Sequence, residues 1–410
     1  MTRKYVILLL IILFSSCEKS QDKDDNLLKF YGDALEDIGY SVAKIENGYV
    51  ITGQFTEVAR TGGNSIDNDN SIRKMGIIKT GTDGNMIWKK SLGDRPQAAG
   101  SKVLALGDGS VICTGYVVDS VTLKRDIFVV KLNADATESL QKVYKSDGNQ
   151  YSTDIIETTE GFLILGTTDV ERQPLTDSTG NADGKKDILL LRINSNLEPV
   201  VPPTAFGFPG DDEGAALKAD INGGYIVVGT TDRSEPGQAQ NNIFLLRVNT
   251  DGSATQPRIL GGTDDEYAAD IEVLSNEYLV AGTIGSEGTN QQGYVWKISN
   301  NIYAAPTIAH EIVIETSSST SLSFSVKAIC RYKTNSFVMA GQAGTGSSAK
   351  MLIFVTDSDG NLVEGKQMIA GGTGAQVAYD VISDGDDNII AVGKNSYETN
   401  SMISLLKFRF

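Results

Sequence analysis

One stretch recurs through the whole chain. Residues 224–252 read GYIVVGTTDRSEPGQAQNNIFLLRVNTDG, and looser copies aligned on the glycine of VVGTT place Gly53, Gly115, Gly166, Gly229, Gly282, Gly341 and Gly393 at intervals of 62, 51, 63, 53, 59 and 52 residues. Periods of this size mean stacked supersecondary units, each too small to bury its apolar faces alone. Such a chain is committed to a repeat architecture before any domain is counted.

Each unit has the same parts. An apolar run such as AADIEVL meets a short polar turn and then a second run such as EYLVAGT; a variable loop follows, then a third run such as IFLLRVN, a tight TDG or SDG turn, and a weaker fourth run. The runs are short and rich in Val, Ile, Leu and aromatics, with Asp-Gly and Asn-Gly punctuation that accepts the positive φ of hairpin turns. No stripe of helical period appears outside the first residues. The unit is therefore a four-stranded antiparallel meander. Runs such as ILLL and FLLR are apolar on both faces, so each sheet must be covered on both sides. Radial stacking does this, and the expectation is an all-β, seven-bladed β-propeller over residues 26–410. After the seventh glycine only one more run remains, SMISLLKF, while NLLKFY (26–31) precedes Gly32 as QPRIL precedes Gly261. The N-terminal segment thus supplies the outer strand of the last blade and closes the ring, removing the open edge of a linear array.

The repeats resemble the GG-x-DD-x-A-x-DI, GGYIVVGTT and DIFLLRVNTDG pattern of propeller-forming lipoproteins and secreted proteins of Bacteroidetes-type bacteria and some archaea. The fourth and fifth units match best, through GDDEGAALKADINGGYIVVGTTD and GGTDDEYAADIEV; the sixth departs most, with SSSTSLSFSVKAI. The resemblance implies the fold and an extracytoplasmic setting, and for most members no assigned reaction.

The first residues support that setting. MTRKYVILLLIILFSSC has a basic start at Arg3 and Lys4 and a ten-residue apolar run to Phe14, too short for an ordinary span of about 20 residues. With Ser15 and Ser16 before Cys17 it resembles a bacterial lipoprotein signal peptide (1–16), with Phe14 where that family usually has Leu; a plain secretory signal or short anchor is the alternative. Lipidation at Cys17 would anchor the chain to a membrane. Residues 17–25 form a polar tether, and their acidic character resembles the surface-export signal of Bacteroidetes-type lipoproteins. The expected address is the outer membrane, at the cell surface.

Composition narrows the function. A formal charge of −16 and the lack of a basic patch exclude nucleic acid and anionic lipid surfaces as natural partners. Catalysis finds little footing: His310 is the only histidine, no G-x-S-x-G elbow is present, and Cys113 and Cys330 lie in apolar runs as small buried hydrophobes of non-adjacent blades, too far apart to bridge. The turns TDGNMIW and SDGNLVE lack the S-x-D-x-G-x-T-W pattern of sialidase-like propellers. No catalytic residue and no metal site is assigned.

In a meander blade the entry loop and the loop between second and third strands share one face. The long segments 54–74, 167–186 and 230–242 fall there, and elaborated loops on a rigid scaffold are where binding sits. The candidate binding face comprises Asp67, Asp69, Asp211, Asp212, Glu213, Asp264, Asp265 and Glu266. No cofactor is implied; Ca²⁺ is the cation to consider, at IDNDNS (66–71) and DGDDN (384–388), yet neither run has the downstream bidentate Glu of an EF-hand, and solvated turns fit better. The repeated glycines of the second strand are expected to mark close blade-to-blade approach. Basic residues recur in the third strand (Lys79, Lys131, Arg192, Arg247, Lys297, Lys407, with Val355 the exception), as do Asp154, Asp270 and Asp380 in the first. Such regularity suits internal ion pairing; a ligand site should break the symmetry. Three readings follow: a non-catalytic surface lipoprotein whose loop face binds a glycan, peptide or envelope protein; a carboxylate-dependent hydrolase acting on glycans; or a structural envelope protein.

Overall fold

The computed structural model describes residues 26–410 apart from 33–34, 59–70, 94–96, 171–185, 209, 234–240, 256, 286–290, 304–307, 313–321, 386 and 398–399. The signal and tether, Cys17, Asp67 and Asp69, and most of the 54–74, 167–186 and 230–242 loops lie outside the described residues.

Seven four-stranded antiparallel sheets make a β-propeller. Blades 1 to 7 begin with the strands Ile38–Ile45, Ala98–Ala105, Gln150–Thr158, Asp212–Ala219, Glu266–Val273, Phe324–Lys333 and Gln376–Ser383. Blade 4 is representative: Asp212–Ala219, Tyr225–Thr231, Asn242–Val248 and Arg258–Leu260 pair in that order. Its third strand, NIFLLRV, is buried at all but one position, because neighbouring blades cover both of its faces. The chain leaves that strand through Asn249–Ser253, where Gly252 has φ +89° and its N–H donates to the Asn249 carbonyl at 2.9 Å. This is the left-handed position that glycine fills without strain.

The core is divided among the blade interfaces. Ile127 and Val129 of blade 2 pack with Ile155, Ile164, Leu189 and Leu191 of blade 3, and an equivalent cluster joins each neighbouring pair round to blades 7 and 1. Burying such a side chain contributes about 1.5–3 kcal/mol, so every blade depends on both neighbours. The ring is closed as expected: Leu27–Tyr31 is the outer strand of blade 7, in register from Leu27↔Lys407 to Tyr31↔Ile403.

The second-strand glycines have a different cause from the one expected. Each first strand carries a β-bulge at the same place, as between Gly39 and Ser41 in blade 1 and between Ala378 and Asp380 in blade 7. The bulge pushes a first-strand carbonyl towards the facing glycine, so a Cβ on Gly53 would overlap the Ile38 oxygen and one on Gly393 the Val377 oxygen. The obstruction lies within the blade. Blade-to-blade crowding falls instead on first-strand glycines, where a Cβ on Gly214 would sit 2.7 Å from Leu165 of blade 3.

Candidate functional site

The bulges build the wall of the axial channel. An inserted residue is left out of the ladder, and here the seven inserted residues are Tyr40, Ser101, Thr153, Ala215, Ala269, Lys327 and Tyr379, all lining a small axial cavity of about 110 Å³. In four blades the residue that follows, Ser41, Asp154, Asp270 or Asp380, accepts backbone N–H groups. Asp154 Oδ1 accepts the N–H of Ile155 at 2.8 Å, and Oδ2 reaches the next blade to accept that of Leu217 at 2.9 Å. Asp270 serves Ile271 and Ile329 in the same way, at 2.8 and 3.2 Å, and Asp380 serves Val381 and Val42, both at 3.0 Å. The remaining amide, Val103 N–H, donates to Ser41 Oγ at 3.4 Å. Three aspartates and one serine thereby satisfy the bulge amides of all seven blades. Ion pairs are secondary, with Lys102 at 3.4 Å from Asp380 and Lys218 at 3.8 Å from Asp270. Burial works against the Lys102 ammonium, but Asp380, Asp154 and Asp270 together hold it at about 12.

The recurrent third-strand bases meet the expectation of internal ion pairing in part, with Arg192 at 2.7 Å from Glu160, Arg247 at 2.8 Å from Asp220 and Lys297 at 3.1 Å from Glu277. They also donate to the tight turn of the next blade: Lys79 to the Ala134 carbonyl at 2.7 Å, Arg192 to that of Asp251 at 2.9 Å, Arg247 to that of Asn300, and Lys407 to that of Thr82 at 3.4 Å. Lys297 reaches a carboxylate in the next blade's turn, Asp359, at 2.9 Å.

On the opposite face the acidic lead-ins divide. Asp212 and Glu266 are buried and turned inward, where they accept the N–H groups of Phe208 and Gly262 and so cap the crossover from the preceding blade. Burial pushes both carboxyls up to about 7, with the backbone donors pulling the other way. Asp211 and Asp265 accept the Lys186 and Asn241 amides, at 3.1 and 3.0 Å. Glu213 pairs with Lys186, and Asp264 is exposed. Of the described candidates, Asp211 and Glu213 are brought together in a cavity of about 330 Å³ between blades 4 and 5. In DGDDN the groups serve each other: Asp384 Oδ2 accepts from Asn388 at 2.7 Å and from the Tyr49 hydroxyl at 3.2 Å. Among the described residues no three His, Cys, Asp or Glu side chains gather to hold a metal.

A larger cavity, about 570 Å³, opens on the same face between blades 5, 6 and 7. Tyr267 and Tyr379, Gln291 and Gln342, Ser325 and Lys327 supply its polar lining, and no carboxylate is among the described lining residues. Ser325 is 4% exposed and its hydroxyl has no partner among the described residues, a cost that a ligand could relieve. From Tyr379 a band of half-buried tyrosines continues around the mouth. The Tyr379 and Tyr40 rings meet edge to face at 5.1 Å, and the Arg125 guanidinium lies 4.6 Å from the ring of Tyr116 and 5.9 Å from that of Tyr151.

Sequence reasoning passed over these residues, although a signal was present. The inserted residue stands three places after the first residue of the first strand in blades 2 to 7 and two places after it in blade 1, so Tyr40 follows Ile38 closely as Tyr379 follows Gln376. Aligned, that column reads Tyr, Ser, Thr, Ala, Ala, Lys, Tyr, and it varies where its neighbours repeat.

No family model matches the chain, and no curated protein matches it. Solved structures do. The fold is similar to Raptor from Chaetomium thermophilum (10% identity, 93% of this chain and 29% of that one, TM-score 0.51). It is also similar to a puromycin hydrolase (12% identity, 87% and 50%, TM-score 0.50) and to the β-propeller domain of the Trilobed protease from Pyrococcus furiosus (10% identity, 92% and 96%, TM-score 0.47). The chain spans 29% and 50% of the first two. At such identities the likeness is one of architecture alone, and it is the chain's own seven four-stranded sheets that make it a β-propeller.

Proposed function

We propose that this propeller is a non-catalytic, lipid-anchored protein of the outer membrane that binds a glycan at the channel mouth on its loop face. The observation that carries the binding reading is the cavity between blades 5 and 7, where a buried hydroxyl without a partner among the described residues, Ser325, stands among two amides and two tyrosines. Amide and hydroxyl groups match sugar hydroxyls, and tyrosine rings offer flat faces to the C–H side of a pyranose while keeping a polar edge. The hydrolase reading is less well supported, since Asp211 and Glu213 line the smaller cavity and are engaged with Lys186.

The anchor and the face fit one orientation. Leu27 begins the outer strand of blade 7 beside Gly84 in the tight turn of blade 1, so the tether leaves from the tight-turn side. From Cys17 to Asn26 it reaches roughly 30 Å at most. The loop face then points away from the membrane, and Cys17→Ser should abolish fatty-acid labelling.

Binding is tested on an array of bacterial and plant glycans with the lipid-free chain, followed by calorimetry on the bound classes. Tyr379→Ala should weaken binding about tenfold or more, corresponding to loss of one stacked sugar at roughly 1–2 kcal/mol. Silence across the array, with retention instead of envelope proteins, would favour the structural reading. Undiminished affinity of the Tyr379 variant would move the site elsewhere.

A further inference from the structure

Blade 6 breaks the repeat at the cavity between blades 5 and 7. The first-strand residue paired with the one after the second-strand glycine is Tyr151, Glu213 and Tyr267 in blades 3 to 5, each opposite a threonine; in blade 6 it is Ser325, opposite Gln342. A serine in place of a ring or a long carboxylate leaves space, and that space belongs to the cavity of about 570 Å³, within the size range of small-ligand sites. Directly opposed residues of an antiparallel pair share a face, so Ser325 and Gln342 stand side by side in its wall.

The polar groups of this wall are already partly spent. Gln291 Nε2 donates to the Gly285 carbonyl at 3.2 Å, and Gln342 Nε2 donates to the Gly344 carbonyl at 3.4 Å. A carbonyl only accepts, so these contacts fix which end of each amide is nitrogen. Each Oε1 is left as an acceptor without a hydrogen bond among the described residues. Gln291 is also held through its backbone, its N–H donating to Ser323 Oγ at 3.1 Å and its carbonyl accepting the Phe324 N–H at 2.9 Å. The Thr283 hydroxyl is taken by Val326, whose N–H it accepts at 3.1 Å. The buried Ser325 hydroxyl has no partner among the described residues. The cavity therefore offers two amide acceptors and one buried hydroxyl donor, beside the small side chains of Ala268 and Ala269.

Resting on the glycan reading above, we infer that the group recognised is the acetamido of an N-acetylated amino sugar. Its N–H meets Gln291 Oε1, its carbonyl oxygen accepts from Ser325 Oγ, and its methyl lies on Ala268 and Ala269. The N–H and C=O of a trans amide point in opposite directions, which suits partners from two blades: Gln291 leads into the third strand of blade 5, and Ser325 lies in the first strand of blade 6. Gln342 Oε1 remains for a sugar hydroxyl. The acetamido is uncharged, so the net charge of −16 does not oppose its approach.

The test pairs glycans that share length and linkage and differ only in carrying an acetamido or a hydroxyl: chito-oligosaccharides beside cello-oligosaccharides, and the corresponding galactose-series pairs. Calorimetry on the full chain should find the acetamido member about tenfold tighter, the worth of two added neutral hydrogen bonds, with affinity steady between about 50 and 500 mM salt. Ser325→Ala should weaken the acetamido member about fivefold and leave the hydroxyl member as it was. The same substitution should leave the thermal midpoint unchanged or higher, because a buried hydroxyl without a partner is removed. No gain from the acetamido in any pair, equal weakening of both members by Ser325→Ala, or a lower midpoint overturns the inference while the glycan reading stands. Failure of every glycan to bind, acetylated or not, removes both.

Discussion

The carboxylate of Asp154 bridges blade 3 to blade 4 by accepting the Leu217 amide at 2.9 Å, while its other oxygen accepts the Ile155 amide at 2.8 Å. Because each such aspartate serves two blades, it is needed only in alternate ones. Asp154→Ala strands two buried N–H groups and should cost about 2–4 kcal/mol; Asp154→Asn, with one acceptor oxygen, should cost roughly half as much. Urea unfolding of both variants is the measurement. A loss below about 0.5 kcal/mol for the alanine form would show that the bridge is incidental.

The glycine facing each bulge should tolerate no side chain. Gly53→Ala places a Cβ on the Ile38 carbonyl oxygen, and relief requires the blade's first two strands to separate. The expected loss is on the order of 3 kcal/mol or more, within the range of severe overpacking. Gly107→Ala, with nothing within 4 Å of the added carbon, is the control and should change stability little. Similar thermal midpoints for the two variants would refute the account.

Stability should fall as pH rises through neutrality. Burial raises the Asp212 and Glu266 carboxyls to about 7 in the folded chain, against roughly 4 in the unfolded one. The folded state therefore holds these protons more tightly, so their contribution is full below about pH 4 and is lost as pH passes 7. Combining Asp212→Asn with Glu266→Gln should reduce the drop in melting temperature between pH 5 and pH 8. An unchanged or larger drop would place the titrating groups elsewhere.

Removing residues 18–32 should strip the outer strand from blade 7 and leave the edge of Asn400–Phe408 open, with aggregation or a large loss of stability. Removing only 18–25 should be nearly silent. Light scattering and thermal melts of the two truncations decide it, and equal behaviour would contradict the role of Leu27–Tyr31.

The architecture was legible in the sequence because spacing carries it: a glycine period, two-sided apolar runs and Asp-Gly turns each leave a mark on consecutive residues. The reason for the glycine was not. Gly53 answers to a carbonyl fifteen residues away in sequence at Ile38, and a bulge has no composition of its own. The acidic lead-ins misled for a related reason. Asp212 and Glu266 look like surface carboxylates beside Glu213 and Asp265, but neighbouring side chains along an extended chain point to opposite faces, and these two turn inward. The channel mouth is assembled from single residues of seven distant segments, so only alignment of the repeats on the bulge position would have brought Tyr40, Lys327 and Tyr379 into one column.

The pairing of Leu27 with Lys407 also sets a clock. Blades 1 to 6 are each complete within one continuous segment and can form in order as the chain emerges, with each new blade gaining its interface from the one before. Blade 7 cannot: its outer strand is among the earliest residues made and must stay available until the last strand arrives. Ring closure is therefore the longest-range step in the molecule and the slowest to find. Until it occurs, two strand edges remain adhesive, and the chain is at its most vulnerable just before Asn400–Phe408 pairs with Leu27–Tyr31.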